Sequence, residues 1–191
     1  MTDTTRPPRR RLNLFLRDFR MVEAWIASPP DDATLCAYLA RRKTYVPVLD
    51  ARWTPSGETV RFAMVKRSQI LYAAAPDDDV MHTPRASNAN LHAVEMLLEG
   101  GLFVSGCLPV SDGQRLADYL DTAGPFLPMS RTVLRKSGRP PRPSNVRWGD
   151  IALNQDVIQA IWEADEAESR DPSVRTRGSA GARRGRDRSG S

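Results

Sequence analysis

Apolar residues along this chain recur mostly at short alternating intervals, with two brief exceptions at helical spacing. Val94-Glu95-Met96-Leu97-Leu98 is partly alternating and reaches Gly100-Gly101, after which Leu102 to Leu108 continues as a second apolar run. Strand, Gly-Gly, strand is a hairpin pattern, because glycine supplies the positive φ that tight turns need. Leu12 to Leu16 and Met21 to Ala27 occupy the same place in the first half, without glycines between them. Leu35, Tyr38 and Leu39 stand at i, i+3 and i+4, as do Leu116, Tyr119 and Leu120, so each trio shares one helix face. One and a half turns are not stable alone, so each helix is expected to lie as an apolar plug on a sheet. Asp31 and Asp112 stand upstream as expected N-caps, and Ser111 with Gln114 has the spacing of a capping box. Further strand-like runs follow: Tyr45–Trp53, Val60–Val65 and Gln69–Ala73, then Phe126–Leu134, Val146–Leu153 and Val157–Trp162.

The order of these elements is the same twice, and the residues align. At a shift of 81, residues 22–51 meet 103–132 without a gap: Leu35 with Leu116, Tyr38 with Tyr119, Leu39 with Leu120, Pro47 with Pro128. Seven more residues are needed before Val65 meets Leu153 and Ile70 meets Ile158. The expectation is a mainly β protein: a tandem duplication of a small five-stranded barrel-like domain, each with one short helix between strands 2 and 3. The divisions expected are a flexible basic N-terminus (1–10), a first β domain (11–75), a linker (76–92) and a second β domain (93–163). An acidic segment and a disordered Arg/Gly/Ser tail (164–191) complete the chain.

Charge changes the picture by where it sits. The net +5 of the 191 residues belongs to the ends: residues 1–20 carry +4, residues 172–191 carry +5, and 21–163 carry −1. Within the middle, the stretch Arg131–Arg147 has six bases and no acid, and three prolines make 137–144 read as a loop inserted in the second half. Arg131, Arg135, Lys136, Arg139, Arg142, Arg147 and Trp148, with Arg183, Arg184 and Arg186 of the tail, are the candidate contacts to nucleic acid or an acidic partner. Leu35, Tyr38, Leu39, Leu116, Tyr119 and Leu120 are expected to be repeat core, not ligands. Trp25, Trp53 and Trp162 are other stacking candidates, though strand tryptophans are more often buried.

Catalytic chemistry is not visible. There are two histidines, His82 and His92, both in or beside the expected linker. Cys36 and Cys107 have no metal-ligand spacing, so free thiols in a reducing cytoplasm are expected. Arg9-Arg10-Arg11 before an apolar stretch broken by Arg17 and Asp18 does not make an export signal, and no apolar run reaches the ~20 residues of a membrane helix. No catalytic residue, cofactor, metal or small-molecule substrate is assigned, and an enzyme is not expected.

The residues Val104-Ser105-Gly106-Cys107-Leu108-Pro109, Arg115-Leu116-Ala117-Asp118-Tyr119-Leu120, Phe126-Leu127 and Ala152-Leu153-Asn154 resemble a small bacterial domain family of unknown function. The resemblance covers roughly Val94–Glu163 and implies no activity. Arg115 and Asp118, its two charged positions, have Thr34 and Ala37 in their places in the first half. The functional expectation is therefore a binding or adaptor protein, its partner a protein or a second copy. Nucleic-acid binding through the basic loop and tail is the alternative, and an enzyme of unrecognised type the second.

Overall fold

The structure is a computed structural model that describes residues 9–27, 34–76, 89–136, 146–148 and 150–164. The protein is mainly β. Among the described residues, eleven antiparallel strands and two short helices follow in the order β1 (Arg9–Leu16), β2 (Met21–Ala27), α1 (Leu35–Ala40), β3 (Tyr45–Thr54), β4 (Thr59–Lys66), β5 (Ile70–Ala74), β6 (Ala89–Leu98), β7 (Leu102–Ser111), α2 (Leu116–Thr122), β8 (Phe126–Lys136), β9 (Val146–Trp148), β10 (Ile151–Asn154) and β11 (Ile158–Glu163). All belong to one sheet in the order β11-β6-β7-β8-β10-β5-β1-β2-β3-β4, with β9 paired to β8. The sheet does not break where the sequence divides into two domains, because β5 of the first half pairs with β10 of the second. Ile151 lies opposite Ala74, Ala152 opposite Ala73 and Leu153 opposite Tyr72. The expected N-terminal segment gives its last two residues to β1. The expected linker gives its last four, His92 included, to β6.

Local chemistry explains the turns. The β6–β7 hairpin turns at Gly100 (φ 74) and Gly101 (φ 72), as the glycine pair requires. The β1–β2 hairpin has no glycine, and Phe19 takes the left-handed conformation instead (φ 62). The Leu16 N–H donates to the Arg20 carbonyl at 2.9 Å, and the Arg20 N–H to Asp18 Oδ1 at 3.1 Å. Helix α1 starts at Thr34, whose Oγ1 accepts from the Ala37 N–H at 3.1 Å. Asp112 does not cap α2: Arg115 is the cap residue and makes no side-chain cap bond, while Asp112 accepts from the Asn90 side chain. Ser111 and Gln114 form a backbone turn, N–H to carbonyl at 3.0 Å, not a capping box. Asp31 lies outside the described residues.

Several ladder registers occur twice. In β3–β4 Tyr45 faces Lys66 and Val48 faces Ala63; in β8–β10 Phe126 faces Asn154 and Met129 faces Ile151. The β2–β3 bulge falls between Glu23 and Trp25, and the β7–β8 bulge between Ser105 and Cys107. Opposite those bulges Asp50 (φ 47) and Arg131 (φ 56) are both left-handed. A 3-10 turn precedes β5 and β11, and its first N–H, from Arg67 or Gln155, reaches the carbonyl of Thr44 or Pro125 at 2.8 and 3.0 Å. Along β2 the matching positions are Val22 with Val104 and Ile26 with Leu108, all buried, one residue beyond the gapless alignment expected from sequence. Glycine is required at the second bulge: a Cβ on Gly106 would stand 2.9 Å from the Ser130 carbonyl oxygen.

Two apolar cores result, and each borrows from the other half. The first joins Leu12, Leu14, Ile26, Leu39 and Val48 to Phe126 and Ala152. The second joins Val94, Met96, Leu108 and Leu153 to Leu71, Tyr72 and Ala74. The hairpin tips also meet: Arg17 Nη1 lies 2.9 Å from Glu99 Oε2, and the Phe19 ring covers Gly100. Residues 1–88 and 89–191 expressed separately should therefore show no cooperative unfolding in urea, whereas the whole chain should unfold in one transition. Within the whole chain, Leu39→Ala should cost about 2–5 kcal/mol in the same measurement, since it opens a cavity at a fully buried position. Gly106→Ala should cost about 1–3 kcal/mol through overpacking against fixed backbone.

Candidate protein-interaction face

The two helices sit differently. Leu35, Tyr38 and Leu39 of α1 are buried, and α1 packs on β8 and β10 of the other half. Leu116, Tyr119 and Leu120 of α2 rest on the second core but are only half-buried. Burial pushes the Tyr119 phenol up to about 12, with a smaller push from Cys36 across the gap between the helices. Burial raises the Tyr38 phenol too, against the opposing effect of Arg42, whose guanidinium carbon lies 4.8 Å from the ring centre.

The basic stretch is not one surface loop. Arg131, Arg135 and Lys136 belong to β8, and the backbone of Arg147 and Trp148 pairs in β9 with Val133 and Thr132. Arg135 is held by Glu95, and its guanidinium carbon lies 5.4 Å from the Phe103 ring centre. Glu95 also accepts from Ser105 Oγ at 2.9 Å and from Trp162 Nε1 at 3.2 Å, which ties β6, β7, β8 and β11 together on one face. Lys136 Nζ stands 5.1 Å from the Phe19 ring centre. Arg139, Arg142, Arg183, Arg184 and Arg186 lie outside the described residues. Among the described residues no cluster of His, Cys, Asp and Glu is arranged to hold a metal, and no helix is long and apolar enough to cross a membrane. Cys36 and Cys107 are free thiols.

An unexpected feature lies at the β4 edge. Alternation in β3 turns Val46 and Val48 into the core and puts Tyr45, Pro47 and Leu49 on the outer face. The registers then bring Trp25, Leu49 and Phe62 into one row across β2, β3 and β4, with Pro47 beside Met64 in the next row. Phe62 is 58% exposed, Met64 51%, Tyr45 46% and Trp25 40%. These four account for all but two of the large hydrophobics exposed among the described residues, and they are contiguous. An apolar patch of this kind beside an edge strand is unusual for a surface that faces only water. Sequence reading named Trp25 but assigned the strands around it no face. The signal was present in Thr59–Lys66, where Phe62 and Met64 share one face while Val65 takes the other.

In comparisons with known proteins, no family model, curated protein or solved structure matches this chain.

The thiol beside α2 gives a pH test of this region. Burial raises Cys36 from its ordinary 9.0 to about 12. A raised folded-state value means that its contribution to stability is complete below pH 9 and is lost as pH climbs toward 12. Urea midpoints should therefore fall across that interval more steeply for the native chain than for Cys36→Ala. Native Cys36, half-buried against the first core, should also alkylate more slowly at pH 8 than in urea; equal rates would contradict that packing.

Proposed function

We propose that this chain is a non-catalytic protein-binding module made of two copies of one small β unit, and that the outer face of β2, β3 and β4 is its contact surface. The observation that carries this reading is the contiguous exposed patch of Trp25, Tyr45, Phe62 and Met64 at an open sheet edge. Exposed aromatic and Met side chains around an edge strand offer both halves of a common recognition mode, ladder hydrogen bonds and apolar anchoring. The duplication is supported by the paired registers, the two bulges with their left-handed partners, and the repeated 3-10 turns. It gives each unit one helix and five strand positions, with β9 and β10 together standing where β4 stands in the first unit. The units share their sheet through β5 and β10 and do not close as separate barrels.

Nucleic-acid binding through Arg131–Arg147 and the tail has less support. Arg135 is engaged by Glu95 and Lys136 by Phe19, so the described bases of that stretch are partly committed within the fold.

A photo-crosslinking residue at Phe62 in the full chain tests the reading in cells. Discrete protein–protein products are expected from position 62 and not from Glu58, which lies beyond the patch in the β3–β4 turn. Crosslinks chiefly to nucleic acid, or equal yields from both positions, would sink it.

A further inference from the structure

We propose that the occupant of the β4 edge is β11 of a second copy of this chain, added head to tail in the register that β5 and β10 use within one copy. This deepens the binding reading above and rests on it and on the duplication. The chain contains one junction between units and both unpaired halves of another. Under the repeat, β5 corresponds to β11 and β10 to β4. Their ladders agree in detail: Leu16 faces Ile70 and Phe15 faces Tyr72, with a bulge between, while Leu98 faces Ile158 and Leu97 faces Ala160, with the same bulge. Yet β5 is paired on both sides, whereas among the described residues β11 and β4 are the two ends of the sheet.

Burial follows the same division. Tyr45 and Met64 correspond to Phe126 and Ala152, the two second-half residues that enter the first core. Phe126 is 3% exposed and Ala152 0%, against 46% and 51% for their counterparts at the open edge. The helix behaves alike. α1 packs on β8 and β10 across the existing junction and is buried; α2, whose corresponding seat is β3 and β4 of a neighbour, has no buried residue. Edge strand, outer-face side chains and helix face are thus three separate surfaces, and each junction between two copies covers all three kinds at once. The expected register places Trp162 opposite Ala63, Ile161 opposite Met64 and Ala160 opposite Val65 of the second copy. The contact joins two different surfaces, so it is heterologous, and repetition gives a ring where the rotation closes and a filament where it does not.

Sedimentation of the full chain over a wide concentration range tests this directly, with Met64→Lys to spoil the β4 edge and Ala160→Lys to spoil the β11 edge. Both positions are exposed in the single copy, so each variant should keep the native circular dichroism spectrum and melting temperature. The native chain should form assemblies larger than a monomer. Each variant alone should be monomeric, because every junction it can make has one spoiled edge. A mixture of the two should form a one-to-one dimer and stop there, since one intact β11 and one intact β4 remain. Without any substitution, hydrogen exchange at β4, β11 and α2 should slow as the native chain is concentrated. A native chain monomeric throughout, a variant that still assembles, a mixture that stays monomeric, or exchange independent of concentration would each overturn the proposal. If the chain is monomeric while Phe62 still crosslinks another protein in cells, self-assembly alone falls and the binding reading stands.

Discussion

The pairing of β5 with β10 is the contact on which the rest of the molecule depends. Three residue pairs make the ladder, and Asn154 reinforces it by donating from Nδ2 to the Ile70 carbonyl at 2.8 Å, in a buried setting 84 residues away in sequence. A buried amide is costly unless bonded, so this bond fixes the register as well as joining the halves. Once β10 lies beside β5, the outer side chains of β8 and β10 face α1, and Phe126 and Ala152 complete a core that the first half does not fill alone. The reverse loan, with Leu71, Tyr72 and Ala74 entering the second core, is imposed by the same strand. Five consecutive buried residues in β5 are what a strand paired on both edges and covered on both faces should have.

Much of the local structure was legible in the residues. Leu35-x-x-Tyr38-Leu39 is one helix face in the structure, and the Gly100-Gly101 hairpin forms where the glycines require it. Both depend on contacts only a few positions apart. The caps were not legible, because Asp112 is drawn away by Asn90, which β6 brings beside it, and no local rule anticipates that. The one-residue slip along β2 has a similar cause: the bulge at Ser105 and Cys107 shows itself only when β7 meets β8. Least legible was the candidate site. Trp25, Leu49 and Phe62 are far apart in sequence and become neighbours only through two ladder registers. The setting of the basic stretch was not legible either: Arg135 and Lys136 are neighbours in sequence, but in β8 Arg135 meets Glu95 and Lys136 meets Phe19.

On the duplication proposed above, the junction also accounts for where the two halves differ. At the internal junction the β4-type strand carries Ala152, and the β5-type strand carries Tyr72, Ala73 and Ala74: mostly small side chains that let sheet and helix approach closely. At the open edges the corresponding places carry Met64, Ala160, Ile161 and Trp162, larger on average. A contact between separate molecules must offset lost rotational and translational freedom, which one within a chain does not. Large, adaptable apolar side chains suit that requirement, since each removes more surface from water. The same choice leaves those side chains exposed in a single copy, and Glu95 limits the liability on one side by holding the Trp162 indole against the sheet.

On this view the net charge has its own place in the architecture. Residues 21–163 carry −1, but Arg9, Arg10, Arg11, Arg17 and Arg20 belong to β1 and its hairpin, so much of the positive charge is carried by the fold itself. Neighbouring copies of a positively charged chain repel one another, which opposes association through apolar edges. Screening by salt weakens that repulsion over roughly 8 Å at physiological ionic strength. Ladder pairing and apolar burial are far less sensitive to salt. The proposed association through the β4 and β11 edges would therefore be favoured by added salt, whereas nucleic-acid binding through the same arginines would be weakened by it. The two readings of this chain thus respond to one variable with opposite sign.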